Sequence, residues 1–148
     1  MKIKKDPVIK EIYRFEDGHK VMCPIFESRV AAGFPSPADD FIERKLDLNE
    51  FLVRHPSSTF FVRVSGDSMI GAGINHNDIL IVDRSLEVSD KAVIIAVLDG
   101  ELTVKRYREK DGKKYLMSEN PRFKPMEIGE KTPFELWGVV TSVIHKVG

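Results

Sequence analysis

A chain of 148 residues is long enough for one domain with a core of its own. Its 23 basic and 23 acidic side chains cancel, so a general electrostatic hold on nucleic acid is not suggested, and no apolar run reaches the length of a membrane span. The single cysteine, Cys23, excludes an internal disulfide and fits a reducing, cytoplasmic setting.

The first residues, Met1 to Pro7, are basic but lead into no sustained apolar stretch, so no secretory signal is expected. Val8–Phe15 has the composition of a strand, with a turn at Glu16–His19, inside a section (1–31) that reads as an extended, partly ordered arm. It is too short for a DNA-binding helix-turn-helix head with its own core. Val30–Pro37 follows, with small residues, one glycine, an aromatic and two prolines that block a helix. Such a stretch is extended and fits a protease cleft, but composition alone favours a plain proline-rich linker.

Ala38–Leu46 carries acids early and bases late, the arrangement of a short helix matched to its dipole. Asp47 is the expected N-cap of a second helical turn over Leu48–Val53, stopped near His55–Pro56. Phe41, Leu48, Phe51 and Leu52 are expected in the core.

From Thr59 onward the chain is rich in strand-forming residues. Strands are expected at Thr59–Val64, Ile79–Asp83, Lys91–Leu98 (the central one), Glu101–Tyr107, Lys114–Met117 and Phe134–Ile144. Asp99–Gly100 and Asp111–Gly112 are hairpin signals. Many short strands with turns between them predict a mostly-β fold with a strongly bent antiparallel sheet and one or two short helices.

Two residues carry the chemistry. Gly66 allows a sharp turn after the Thr59–Val64 strand, at whose far side stands Ser68 in Val64-Ser65-Gly66-Asp67-Ser68-Met69. A serine hydroxyl needs a base, and none of His19, His55, His76 or His145 stands where it would serve; nor do these four show metal-ligand spacing. Lys105 stands in an apolar strand, and desolvation disfavours an ammonium in such surroundings. Ser68 and Lys105 are therefore the candidate nucleophile and general base. Alternation puts Thr103 on the same strand face as Lys105. The plainer reading is that Gly-Asp-Ser is a turn tripeptide and that the lysine snorkels to water.

These motifs together resemble the LexA-like self-cleaving proteins, and among them the UmuD/MucA type of SOS mutagenesis protein. The matching residues are Ala31–Ala38, His55–Thr59, Val64–Met69, Gly73 with Asp78–Asp83, Glu101–Lys105 and Trp137–Val140. The order Ala-Gly bond, serine 35 residues after Gly33, lysine 37 residues after Ser68 fits as well. The first thirty residues do not align with the family.

The resemblance implies a LexA C-terminal-type, partly barrel-like sheet in a peptidase and dimerisation domain (33–148), after an arm (1–32) released by self-cleavage. It implies that Ser68, with Lys105 as base, cuts the chain's own Ala32–Gly33 bond. Thr103 would orient the lysine, and Asp67 and Met69 would flank Ser68 in the oxyanion loop. No metal and no cofactor enter this chemistry, and the rate should rise toward alkaline pH. The implied partners are a second copy of the chain, the RecA filament on single-stranded DNA, and a UmuC-like Y-family polymerase subunit; sequence-specific DNA binding and a membrane are not implied. Two alternatives keep the same fold: a non-catalytic dimerising module that binds a polymerase, and a self-cleaving transcriptional repressor, which the short arm disfavours. A membrane-bound Ser-Lys signal peptidase lacks its anchor here.

Overall fold

The computed structural model describes residues 8–16, 18, 22–26 and 43–148. They fall into two units, one made by the start of the chain with 55–148 and the other by 17–54.

The larger unit is one eight-stranded antiparallel sheet. Its strands are β1 (Val8–Arg14), β4 (Thr59–Ser65), β5 (Ile79–Asp83), β6 (Val93–Leu98), β7 (Glu101–Lys110), β8 (Lys113–Met117), β9 (Met126–Ile128) and β10 (Phe134–Ile144). The order across the sheet is β1-β4-β5-β10-β6-β7-β8-β9. Val8 of β1 also pairs with Thr103 of β7, so the sheet curls back on itself into a half-barrel. Every strand expected from the sequence is present, and β6 is interior, flanked by β10 and β7.

Local chemistry explains the two central hairpins. Asp99 and Gly100, and likewise Asp111 and Gly112, all take positive φ, the left-handed pair that a two-residue turn needs to match the strand twist. They set the registers Leu98↔Glu101 and Lys110↔Lys113. Both faces of the inner strands are covered. Ile95 of β6 and Val104 of β7 join Val62, Val64, Met69, Ile74, Leu80 and Val82 in one buried cluster. Ile94, Ala96 and Tyr107, from the opposite faces of the same two strands, pack with Leu116 and Val139 in a second. Where β10 crosses from β6 to β5 its register shifts at Gly138, and a Cβ there would lie 2.7 Å from Val82 Cγ1 and 3.2 Å from the Asp83 carbonyl oxygen. Gly138→Ala is expected to cost about 1–3 kcal/mol by overpacking, read as a lower denaturation midpoint with unchanged slope.

The smaller unit holds β2 (Met22–Phe26), β3 (Glu43–Asp47) and the helix α1 (Leu48–Leu52). β2 and β3 pair antiparallel from Met22↔Asp47 to Phe26↔Glu43. This corrects the helix expected over Ala38–Leu46: its last part is strand. An isolated short helix is marginal in water, whereas pairing with β2 gives the backbone groups on one side of Glu43–Asp47 partners. The helical turn that follows is present as expected, with Asp47 Oδ1 accepting from Asn49 N–H at 3.2 Å. Leu48 and Phe51 were expected in the core and are instead exposed, because a helix of one turn has too little surface to bury a whole apolar face. Phe41 and the stretch 30–37 lie outside the described residues. No helix among the described residues is long and apolar enough to cross a membrane.

Candidate functional site

Ser68 is reached from the end of β4. Val62 and Val64 alternate into the core, and the chain then turns at Gly66, whose φ of 96° is open to glycine and strained for other residues. Ser68 itself is fully buried. Behind it Met69 is fully buried in the first cluster, and the chain continues through a single 3₁₀ turn, Ile70–Ala72, ended by Gly73 in the left-handed region.

Two segments grip this turn. On one side lies the 75–78 loop: Val64 N–H donates to the Asp78 carbonyl at 3.0 Å, Asn77 N–H to the Val64 carbonyl at 2.8 Å, and Gly66 N–H to His76 Nδ1 at 3.2 Å. That loop is anchored in turn by Asp78, buried, whose carboxylate takes the Asn75 N–H at 2.7 Å and pairs with His145 Nδ1 at 2.6 Å. On the other side lies the Ser118–Asn120 segment after β8. Gly71 N–H donates to the Glu119 carbonyl at 2.7 Å, Glu119 N–H to Met69 Sδ at 3.4 Å, and Asn120 Nδ2 to the Asp67 carbonyl at 3.0 Å.

Lys105 stands in β7, buried to 6% exposure, with its backbone opposite Ile94 of β6. Its Nζ donates to Ser118 Oγ at 2.9 Å. A continuous path therefore joins the two candidate residues: Ser68 to Met69 by the chain, Met69 to Glu119 by a hydrogen bond, Glu119 to Ser118 by the chain, and Ser118 to the lysine amine. The lysine does not snorkel to water.

Among the described residues, two buried hydroxyls, Ser68 Oγ and Thr103 Oγ1, have no hydrogen-bond partner. Leaving a buried hydroxyl unsatisfied costs about 1–3 kcal/mol, and native folds accept that mainly where the group has other work. Thr103 shares the buried face of Lys105 as expected, while the hydroxyl that meets the amine is that of Ser118. Sequence reading missed Ser118, which belongs to no motif. The signal was present in the hairpin: with Lys110 opposite Lys113 and Arg106 opposite Met117, the next facing pair is Lys105 and Ser118. On either side of Ser68, the Asp67 carbonyl accepts from Asn120 Nδ2 and Ile70 N–H, and Met69 is a core anchor. Ala32 and Gly33 lie outside the described residues, between β2 and β3 in the chain.

A buried serine on a glycine turn and a buried lysine amine, linked through the Ser118–Asn120 segment, are the residue types that Ser-Lys acyl transfer uses. Residues 24–141 match the family model described as peptidase S24-like. The chain is 42% identical over 124 residues to Protein SamA of Salmonella typhimurium, covering 84% of this chain and 86% of that protein. It is 43% identical over 119 residues to Protein MucA of Escherichia coli, covering 80% and 81%. Against the LexA repressor of Photorhabdus laumondii it is 41% identical over 100 residues, 68% of this chain and 49% of the repressor. The chain belongs to the peptidase S24-like family of self-cleaving serine peptidases, with UmuD-like SOS mutagenesis proteins as its relatives.

Proposed function

We propose that the protein cuts its own Ala32–Gly33 bond, with Ser68 as nucleophile and Lys105 as general base. The uncharged amine of Lys105 takes the Ser68 proton, and Ser68 Oγ attacks the Ala32 carbonyl carbon. The oxyanion is met by the Ser68 backbone N–H and a neighbouring N–H of the 67–69 turn. The tetrahedral intermediate expels the Gly33 amine, which takes the proton from the lysine, and water hydrolyses the acyl-enzyme to give 1–32 and 33–148. The small side chain of Ala32 leaves room for the approach. The observation that carries this reading is the burial of the Ser68 hydroxyl, without a partner among the described residues, beside a Met69 that is hydrogen-bonded to the segment holding Lys105.

The likeness to SOS mutagenesis proteins supports the biological setting: a cytoplasmic homodimer whose slow cleavage is promoted by the RecA filament on single-stranded DNA. The filament favours the state in which the scissile segment occupies the cleft. The shortened dimer then serves a UmuC-like Y-family polymerase in translesion synthesis. Adding filament to purified protein is expected to yield a fragment beginning at Gly33; no such fragment under any filament condition would refute the reading.

Ser118 is a positioning residue for Lys105. Ser118→Ala removes one partner of the amine, and losing a buried hydrogen bond of about 1–1.5 kcal/mol is a factor of roughly ten in rate. Cleavage should slow by that amount while Ser118→Thr, which keeps the hydroxyl, retains most of it. Equal rates in Ser118→Ala and wild type would remove the role.

A further inference from the structure

β1 precedes the bond that Ser68 would cut, yet it is a strand of the main sheet. It pairs antiparallel with β4 from Val8↔Ser65 to Arg14↔Phe60, with a bulge between Ile9 and Glu11. Ile9 packs on the cluster that holds Val62, Val64 and Met69. Glu11 Oε2 sits 3.4 Å from Arg63 Nε, Lys10 Nζ donates to Asn77 Oδ1 at 3.1 Å, and the Phe15 ring stands edge-on to Phe61 at 6.1 Å. Cutting the chain between 32 and 33 removes the covalent link from β1 to β4 and leaves all of these contacts in place.

The energetic position of β1 changes with the cut. While tethered, it sees β4 at an effective concentration on the order of millimolar; once severed it must compete at its free concentration. An edge strand without its neighbour presents a row of unpaired N–H and C=O groups, a ready template for another strand. We propose that the edge of β4 is a strand-exchange site: β1 is its resident occupant, and scission allows an extended segment of a partner protein to replace it. The contacts of β1 define that segment. It carries an aliphatic residue opposite Val64, as Ile9 does, and a carboxylate opposite Arg63, as Glu11 does, and it tolerates a bulge between them. A basic residue facing Arg63 is rejected by like charge.

The exchange rests on the self-cleavage proposed above, so its test makes the nick independently. The full chain carrying Ser68→Ala, with a recognition sequence for an unrelated endopeptidase inserted between Ala32 and Gly33, is assayed before and after cutting. The probe is a labelled peptide of the sequence Val8–Glu16, followed by fluorescence anisotropy. The intact chain is expected to exclude the probe, and the nicked chain to bind it more than tenfold better after fragment 1–32 is diluted away. Glu11→Lys in the peptide should weaken binding several-fold, and Arg63→Glu in the chain should restore that peptide. Ile9→Asp in the peptide should abolish binding. Exchange is overturned if the nicked chain excludes the probe or never gives up its fragment, or if the three peptides bind alike. Wild-type chain incubated alone reports on self-cleavage separately: no cut there, with probe binding to the nicked chain, retires the peptidase reading and leaves the β4 site standing.

Discussion

Lys105→Ala and Ser68→Ala should each lower the rate of cleavage at Ala32–Gly33 by a factor of about a thousand or more, since members of a catalytic unit fail together when one is lost. Arginine at 105 separates base chemistry from charge. It keeps the positive charge and cannot give up its proton near neutral pH, so Lys105→Arg should be as inactive as alanine. A Lys105→Arg protein that cleaves at a near-wild-type rate would assign the lysine a merely electrostatic part. Chemical denaturation of each variant keeps a folding defect from passing for a catalytic one.

Acid should unfold this protein through Asp83 more than through any surface carboxylate. Asp83 is 4% exposed at the end of β5, where it accepts hydrogen bonds from His55 Nδ1, from Ser58 Oγ at 2.9 Å, and from Ser85 N–H and Oγ at 2.9 and 2.7 Å. Burial pushes its carboxyl up, but the hydrogen bonds from Ser85, His55 and Ser58 outweigh it and bring the pKa from 3.8 down to about 2. The folded value lies below the unfolded one, so the stabilisation is present above about pH 4 and is lost as pH falls from there through 2. A shift of this size is worth roughly 2 kcal/mol. Asp83→Asn should lose about that much at pH 7 and show a flatter stability profile between pH 5 and 2. If the variant's acid limb matches that of wild type, another group dominates acid unfolding.

The main sheet was legible because its strands obey local rules. Asp-Gly twice at hairpin turns, continuous apolar runs in β5 and β6, and the Gly66 turn each specify one structure within a few residues. Ser68 and Lys105 were legible for the same reason, one on a turn motif and the other a charge in an apolar strand. The smaller unit was not. Charge order in Glu43–Leu46 favours a helix end, but the partner strand Met22–Phe26 lies some twenty residues earlier with a proline in it, and nothing local announces that pairing. Non-local pairing also decided β1: its composition marks a strand, while its place beside β4 and against Thr103 depends on how the sheet curls. Ser118 sits between these cases, hidden as a motif and recoverable from hairpin register.

Intact-mass spectrometry of purified wild type and Ser68→Ala, held side by side at alkaline pH with no other protein present, is the most direct test. The wild type should convert over time into two species whose masses correspond to 1–32 and 33–148 and add up to the full chain plus one water, while Ser68→Ala stays whole. A wild type that keeps its full mass throughout, or a Ser68→Ala that divides at the same bond and pace, would contradict the assignment of Ser68 as the nucleophile.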